Sequence, residues 1–216
     1  ARPDELVVVE TAPAPGPAGA RNEGVSRTDA DLVCFVDADV LVHADALDLA
    51  RARFEGRPEL VGVFGSYDDA VATRGVVAAF RNLLHHTVHQ RSQGDVETFW
   101  AGLGAVRRDA FEEAGGFDAA RYPEPSIEDI ELGIRLRRHG YRILIEPGLQ
   151  SRHLKAWHFG NLLRTDVVQR ALPWAELMRE HRIPPALNVS YGERLRAALA
   201  WALAIALGAF LARLAS

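Results

Sequence analysis

A short apolar run that ends in two carboxylates constrains the fold of this chain more than any other feature. The residues from 32 to 36 read Leu-Val-Cys-Phe-Val, and Asp37-Ala38-Asp39 follows them directly. An uninterrupted apolar run of this length is typical of a strand buried on both faces of a parallel sheet. Open α/β sheets bind ligands beyond the carboxyl ends of such strands, so the two carboxylates are predicted to lie at a ligand site.

Helix and strand patterns alternate along the chain, which predicts an α/β fold. We expect strands at residues 6–9, 31–36, 60–64, 99–106 and 141–145, and helices at 20–26, 44–54, 76–89 and 128–139. Residues 11–19 are rich in Pro, Gly and Ala and are predicted to form a loop. With 216 residues, 48% of them hydrophobic, the chain has the size of one domain with a substantial core.

Composition argues against some functions. The formal net charge is -4 and Arg is scattered among Asp and Glu, whereas nucleic-acid binding requires clustered Lys and Arg. The single cysteine, Cys34, lies inside the apolar run and is expected to pack as a small hydrophobe. No intrachain disulfide can form, so a reducing compartment fits, and no signal-peptide pattern is visible.

The spacing of Asp37 and Asp39 allows both carboxylates to approach one divalent cation. Hard cations prefer oxygen ligands and usually keep waters and substrate phosphates as well. The alternative is that the pair merely ends a strand in a solvated turn, which is the commoner reason for an isolated Asp-x-Asp. Motifs further along the chain favour the metal-binding interpretation.

Five motifs in order resemble those of glycosyltransferase family 2. They are Gly16-Pro17-Ala18-Gly19-Ala20-Arg21-Asn22-Glu23-Gly24, Phe35-Val36-Asp37-Ala38-Asp39, Gly102-Leu103-Gly104-Ala105-Val106-Arg107-Arg108, Gly115-Gly116-Phe117-Asp118 and Glu128-Asp129-Ile130-Glu131-Leu132-Gly133-Ile134-Arg135-Leu136. The resemblance covers about Leu6 to Trp174. It implies the GT-A fold, a Rossmann-like, mixed and mostly parallel sheet flanked by helices. It also implies inverting sugar transfer without a covalent intermediate, and nucleotide-binding strands that normally precede this region.

The resemblance implies which ligands and which acidic residues take part. A UDP- or GDP-sugar would be the donor, Mn2+ or Mg2+ the cofactor, and a carbohydrate or lipid-linked molecule the acceptor. Asp39 would coordinate the metal and Asp37 would contact the ribose or the metal shell. His153 would bring an imidazole to the metal from the far side, although a lone His in such a loop is otherwise a surface residue.

Asp129 matches the general base that removes the proton from the acceptor hydroxyl. An Asp with an ordinary pKa is ionised at neutral pH and can accept that proton. Glu128 would position the acceptor, or raise the pKa of Asp129 through like-charge repulsion. The alternative for this pair is the acidic first turn of a helix, which the helix dipole favours. Both interpretations can hold together.

The resemblance also assigns residues to donor binding and to acceptor binding. Arg21 and Asn22 match the helix start behind the donor loop, where an Arg can meet diphosphate oxygens bidentately, unless it is an ordinary surface Arg. The predicted acceptor-binding residues are Trp100, Gly102, Leu103 and Gly104. The glycines would let a sugar approach the backbone, and Trp100 would stack on it or pack in the core.

One further cluster, His85, His86 and His89, has two imidazoles at helical spacing. No carboxylate or Cys completes the set locally, so a zinc site is disfavoured.

The resemblance suggests three regions. Residues 1–156 would form a GT-A catalytic domain that lacks the first donor-binding strands, 157–193 amphipathic interface helices, and 194–216 a hydrophobic helix. This last helix is either packed at an interface or the beginning of a transmembrane segment, since a span needs about 20 apolar residues. We expect membrane association at the cytoplasmic face. The Gln169-Arg170 to Trp174 spacing departs from that of processive synthases, which favours single transfer.

Two other functions compete with glycosyl transfer. A catalytically silent GT-A-like scaffold at the membrane would fit the lack of the donor-binding strands. A sugar-phosphate nucleotidyltransferase would also use metal-binding carboxylates, but the sequence has no Gly-rich, basic triphosphate loop near its first strand.

Overall fold

The computed structural model describes residues 2–180 together with 192, 195, 196, 198–203, 206 and 213. The chain forms two compact units, Ala1–Ile183 and Pro184–Ser216. The elements of the first unit are, in chain order, α1 (Gly16–Ser26), β1 (Leu32–Val36), β2 (Val40–Val42), α2 (Ala46–Phe54), β3 (Leu60–Tyr67), α3 (Val76–Arg91), β4 (Gly94–Asp95), β5 (Leu103–Arg107), α4 (Arg108–Glu113), α5 (Glu128–Arg138), β6 (Arg142–His153), α6 (Phe159–Leu163), a π-helix (Arg164–Ala171) and α7 (Leu172–Glu180).

The strands form one mixed sheet flanked by helices, which confirms the predicted α/β class. The strand order is β1-β5-β3-β6-β2, and β4 pairs with β6 outside this path. Among the described strands the pair β3 and β6 is parallel, and the other pairs are antiparallel. The expectation of a mostly parallel sheet is therefore wrong for these strands, because an apolar run indicates burial and carries no information about strand direction.

The strand with two buried faces is β3, not β1. All eight residues of β3 are buried, whereas the first three residues of β1 are only partly buried. In the described part of the chain β1 pairs with β5 and lies at one end of the strand order. The predicted strand at 6–9 is also wrong, since these residues form no strand and Leu6 and Val8 are exposed.

The sheet brings the acidic pair next to the end of β6. The N–H of Asp37 donates to the carbonyl of Gly102 at 3.2 Å, just beyond the β1–β5 ladder. On the other side β2 pairs with the end of β6, which places Val40 opposite His153. The N–H of Leu154 then donates to the carbonyl of Asp39 at 2.8 Å. Asp39 and His153 are thus neighbours because of strand register.

Helix α5 approaches the segment before β5 so closely that only glycine fits at the contact. A Cβ on Gly133 would lie 2.3 Å from the backbone nitrogen of Phe99 and 2.6 Å from the carbonyl carbon of Thr98. The first turn of α5 is acidic and its last turn is rich in Arg, which suits the helix dipole. The close packing holds the amino-terminal end of α5, with Glu128 and Asp129, beside the sheet.

The helices after β6 begin as part of the first unit. Leu177 of α7 is fully buried and belongs to one core cluster with Ile127 and Ile134. The first compact unit extends to Ile183, and the domain boundaries expected after 156 and 193 stay predictions. Much of the predicted hydrophobic helix at 194–216 lies outside the described residues. Across the residues that are described, no helix has the length and apolar character needed to cross a bilayer.

Candidate active site

Arg21 joins the two acidic motifs. From α1, its Nη2 donates to Oδ1 of Asp37 and its Nη1 donates to Oε1 of Glu128, both at 2.7 Å. Burial alone would lower the pKa of Arg21, but the charges of Asp37 and Glu128 more than offset this and raise it. The guanidinium is therefore a permanent cation between two carboxylates. Its predicted contact with the donor diphosphate stays a prediction, since two of its nitrogens are engaged here.

Asn22 holds a turn. Its Nδ2 donates to the carbonyl of Phe117 at 2.8 Å, and its Oδ1 accepts from the N–H of Phe117 at 2.9 Å. A Cβ on Gly116 would come within 2.9 Å of the same Oδ1, which explains the glycine in this motif. Asn22 thus supports the Gly115-Gly116-Phe117 turn, and its predicted role in donor binding stays a prediction.

Glu128 is directed into the protein. Its side chain is 6% exposed, its Oε1 accepts from Arg21, and its Oε2 accepts from the N–H of Ser126 at 2.9 Å. Both oxygens are therefore used to hold the start of α5. This arrangement fits the structural alternative for Glu128 in the first helical turn, and it also places a negative charge beside Asp129.

Asp129 is a partly buried carboxylate with a raised pKa. Its Oδ2 accepts from the N–H of Ala101 at 3.1 Å, and part of the side chain reaches solvent. Burial is the largest cause that raises the pKa of Asp129, and the charge of Glu128 is the second. The charge of Arg21 and the hydrogen bond from Ala101 oppose these effects, and the resulting pKa is about 6. The carboxylate is ionised at neutral pH and has a strengthened affinity for a proton.

Two consecutive residues hold the acidic pair and the candidate base in register. The N–H of Ala101 bonds to Asp129, and the carbonyl of Gly102 accepts from the N–H of Asp37. Together with the bridge through Arg21, these contacts fix the end of β1 against the start of α5. The sequence motifs predicted that both acids belong to one site, and these bonds bring them together.

Asp39 and His153 form the second half of the site. Nε2 of His153 lies 3.6 Å from Oδ2 of Asp39, and the Asp39 side chain is 40% exposed. The pKa of Asp39 is lowered, chiefly by its interaction with His153, with a smaller contribution from Lys155. His153 is buried and stacks on Tyr67, with ring centroids 4.4 Å apart and planes 6° from parallel. The stack fixes the imidazole so that it faces the carboxylate.

The metal-binding prediction can be compared with these donors. In the described part of the chain no group of three or more His, Cys, Asp or Glu side chains is arranged to hold a metal ion. Asp39 offers an exposed carboxylate and His153 a ring nitrogen on the same side. A Mg2+ or Mn2+ ion bound by one or two protein ligands normally completes its shell with substrate phosphates and water. The donor set fits such a substrate-completed site.

The predicted acceptor strand is packed by the protein itself. A Cβ on Gly102 would lie 2.4 Å from the Trp100 ring, and one on Gly104 would lie 2.3 Å from the Trp100 carbonyl. Leu103 is fully buried in the core. The structure thus supplies another reason for the glycines, because Trp100 and Phe99 lie where their side chains would stand. The predicted acceptor contacts of Gly102, Leu103 and Gly104 stay predictions. Trp100 remains partly exposed, so its own contact with an acceptor stays a prediction.

The three histidines of α3 do not converge on a common point. Nδ1 of His86 bonds to the carbonyl of Tyr67 and Nδ1 of His89 to the carbonyl of Gly65, both at 2.8 Å. The His85 ring packs against His89 and Trp100. Burial lowers the pKa of His89 to about 4 and lowers that of His85 as well. The cluster is an aromatic wall behind Tyr67.

The motifs assign no role to several residues that lie around the site. Arg81 of α3 lies over the Trp157 ring, with Cζ 5.3 Å from the ring centroid, and Nζ of Lys155 lies 4.9 Å from the same centroid. Arg170 of the π-helix contributes to the electrostatics of Asp129 and Tyr67. One signal was available, since Lys155 is the only lysine in the chain.

Comparison with known proteins identifies the family. The family described as Glycosyltransferase like family 2 matches residues 1–170. No curated protein matches the chain. Among solved structures, the chain is similar to a mannosyltransferase, PcManGT from Pyrobaculum calidifontis, in complex with GDP-Man and Mn2+. The TM-score is 0.65 at 23% identity, over 93% of this chain and 55% of that one.

A second solved structure has the same fold at lower similarity. It is GalNAc-T7 with UDP, GalNAc and Mn2+, with a TM-score of 0.50 and 14% identity. The match covers 66% of this chain and 31% of the other. The chain thus spans little more than half the length of the first of these structures and less of the second. Together these similarities confirm the GT-A fold that the motifs implied.

Proposed function

The chain belongs to Glycosyltransferase like family 2, and from this we propose that it transfers a sugar from a nucleoside diphosphate sugar to an acceptor hydroxyl with inversion. One observation carries the proposal. Arg21 joins Asp37 to Glu128, and the segment Ala101-Gly102 bonds to both Asp37 and Asp129. A donor-side carboxylate pair and a candidate base are thereby held in one rigid frame.

In this proposal Asp129 is the general base. Its carboxylate accepts the proton of the acceptor hydroxyl as the hydroxyl oxygen forms a bond to the anomeric carbon of the donor sugar. The bond from the anomeric carbon to the diphosphate oxygen breaks, and its electron pair leaves with the diphosphate. A raised pKa strengthens the affinity of Asp129 for the proton while leaving it ionised near pH 7. Neither step requires a covalent enzyme intermediate.

Asp39 and His153, with Asp37 nearby, would hold the divalent cation. Mn2+ is present beside a nucleotide or nucleotide sugar in both related structures, which supports such a cofactor here. When bound, the cation supplies Lewis-acid stabilisation of the departing diphosphate. The protein's own contribution is to hold the two donors, since Tyr67 orients His153 and the register of β2 against β6 places it beside Asp39.

The experiment is a calorimetric titration of UDP and GDP with and without Mn2+. We expect Mn2+-dependent binding of one nucleotide, lost in Asp39→Ala and retained in Asp129→Asn. The latter variant should bind the nucleotide and fail to hydrolyse or transfer the sugar. Asp45→Ala is the matched control, because Asp45 is an exposed Asp that lies between β2 and α2, close to Asp39 in the sequence. If no nucleotide binds and no sugar is released from any donor, the proposal is wrong.

We also propose that the protein works at a membrane surface on the cytoplasmic face. The support is a series of exposed apolar side chains along α6, the π-helix and α7, namely Phe159, Leu163, Val167, Val168 and Leu172. Exposed apolar surface of this kind marks interaction sites. Co-sedimentation with lipid vesicles tests the proposal, and recovery of all the protein in the supernatant would rule it out.

A further inference from the structure

A cluster of cationic side chains surrounds one tryptophan beside the candidate active site, and the proposed transfer step does not use it. We refer to Arg81, Lys155, Trp157 and Arg170 as the Trp157 cluster. Arg170 is included because the pKa of Arg81 is lowered by burial and then by the charge of Arg170, which places Arg170 near Arg81. The Trp157 ring is 9% exposed. Cζ of Arg81 lies 5.3 Å and Nζ of Lys155 4.9 Å from its centroid, so two cations contact one indole.

In this cluster hydrogen-bond donors outnumber acceptors, and positive charges outnumber negative ones. Arg81 is paired with Asp166 at 2.9 Å. Lys155 and Arg170 form no ion pair with any Asp or Glu in the described part of the chain. Nε1 of Trp157 is buried and has no hydrogen-bond acceptor there either. A buried donor without an acceptor is costly, so the site is built for an acceptor that the described residues do not supply.

The cluster adjoins both halves of the candidate active site. The Trp157 ring centroid lies 6.3 Å from that of His153, which faces Asp39. On the other side, Oγ of Ser126 donates to the carbonyl of Gln169 at 2.8 Å, which fixes the residue before Arg170 against the turn that leads into α5. Arg170 also lies in a π-helix, a rare conformation that is frequent at functional sites.

The chemistry of the cluster indicates an anion. A guanidinium, an ammonium and an indole N–H all donate hydrogen bonds, and none of them accepts one. Phosphate offers several strong acceptor oxygens and enough charge to meet two unpaired cations. Arg21 is engaged with two carboxylates, so these cations are the ones in the neighbourhood that remain available for such a ligand.

The surroundings of the cluster indicate what carries the phosphate. On α3, Phe80 and Leu84 flank Arg81 and are 55% and 40% exposed. On the π-helix, Val167 and Val168 lie between Asp166 and Arg170 and are 45% and 54% exposed. A nucleotide phosphate would need no apolar residues here. A phosphate attached to hydrocarbon chains would cover them and gain hydrophobic free energy.

We propose that the Trp157 cluster binds the phosphate of an amphiphilic, lipid-linked acceptor, whose hydrocarbon chain covers the exposed apolar residues of α3 and the π-helix. That the bound molecule is an acceptor rests on the proposed function. Binding itself does not, and it can be measured with no donor or metal present.

The sole lysine makes a direct test possible. Reductive methylation with 13C-labelled formaldehyde keeps the charge of Lys155 and labels the only side-chain amine in the chain. Its NMR signal is followed while dihexanoyl phosphatidic acid is added below its micelle concentration. Glycerol 3-phosphate provides the phosphate without chains, and dihexanoyl phosphatidylcholine provides the chains with a zwitterionic head. UDP and GDP with Mg2+, which is diamagnetic, form a separate arm.

We expect phosphatidic acid to shift the Lys155 signal and to bind at least about tenfold more tightly than glycerol 3-phosphate. Trp157→Phe keeps an aromatic ring and removes the N–H, and it should weaken binding about tenfold. Arg170→Met should weaken it similarly. Arg164→Met, which removes an exposed Arg of the same π-helix, should change binding less than twofold.

Three results would overturn the assignment. Phosphatidic acid could leave the Lys155 signal unchanged, or glycerol 3-phosphate could bind as tightly, which would mean an adventitious anion site. A nucleotide with Mg2+ could also shift the signal and compete with phosphatidic acid, which would assign the cluster to the donor. Loss of nucleotide binding in Asp39→Ala with lipid binding intact would separate this proposal from the proposed function.

Discussion

Arg21 and Glu128 are 107 positions apart in the sequence, and Nη1 of the first donates to Oε1 of the second at 2.7 Å. The other terminal nitrogen of Arg21 bonds to Asp37 at the same distance. Removal of this arginine would leave the buried carboxylate of Glu128 without its cation, whereas the Asp37 side chain is 37% exposed and can be solvated. Loss of one member of such a group costs more than the group contributes as a whole, because an unpaired charge remains.

Arg21→Met should therefore lower the free energy of unfolding by about 3 to 5 kcal/mol. Denaturant unfolding measures this loss. Arg27→Met is the control on the same helix, since the exposed pair of Arg27 with Glu23 should contribute less than about 1 kcal/mol. Equal losses in the two variants would contradict the central role of Arg21.

Activity should depend on the ionisation of Asp129. Because the base must be deprotonated, we expect kcat/KM to fall as the pH drops through about 6. The charge of Arg21 lowers the pKa of Asp129, so any residual activity of Arg21→Met should have its acidic limb at higher pH. An acidic limb near pH 4 in the wild-type protein would exclude a raised pKa.

Asp129→Asn should abolish transfer and stabilise the fold. A carboxyl with a pKa raised above its unfolded value destabilises the protein when ionised, and this penalty is present above about pH 6 and absent below about pH 4. The amide keeps an oxygen for the N–H of Ala101. We expect the Tm to rise by a few degrees at pH 8 and to be nearly unchanged at pH 4. A lower Tm at pH 8 would be inconsistent with this view.

The buried histidines of the aromatic wall should make the stability of the fold decrease in acid. The pKa of His85 and of His89 is lowered by burial, so the unfolded chain binds more protons than the folded one below about pH 6.5. Stability should therefore fall as the pH drops from about 6.5 toward 4. His85→Phe should flatten this slope, whereas His139→Gln at an exposed ring should leave it intact. Identical slopes in wild type and His85→Phe would refute the prediction.

Gly133→Ala tests the contact that positions α5. The added Cβ would meet the backbone nitrogen of Phe99 at 2.3 Å, and backbone cannot move aside as a side chain can. We expect a loss of about 1 to 3 kcal/mol or more, with a matching decrease in activity as the helix start shifts. Gly160→Ala in α6 meets nothing within 4 Å and should be neutral or stabilising. A neutral Gly133→Ala would show that α5 can adjust.

Several parts of the site could be predicted from the sequence because they depend on local pattern. Helix α5 begins at Glu128, as expected, and ends one residue before the expected position. Its apolar residues recur at helical spacing, and its acidic first turn and basic last turn suit the helix dipole. The end of β1 before Asp37 follows in the same way from the apolar run. The motif order was sufficient to indicate the family and hence the fold.

Local pattern did not reveal how these elements meet. The motif suggests that the glycines near Trp100 let a sugar approach the backbone, whereas in the structure the indole of Trp100 covers Gly102. The motif predicts that Glu128 positions the acceptor or raises the pKa of Asp129, and it does not predict that both of its oxygens are bonded within the protein. A small residue in a sequence shows that space is needed and does not show what fills it.

The sequence by itself determined the end of β1, helix α5, the acidic motifs and the family, because these depend on residues within a few positions of each other or on their order. Only the tertiary structure decided that Arg21 bridges Asp37 and Glu128, that β1 pairs antiparallel with β5, and that Arg81 and Lys155 share Trp157. Such contacts join residues distant along the chain, so they depend on strand pairing and packing, which side-chain periodicity does not encode.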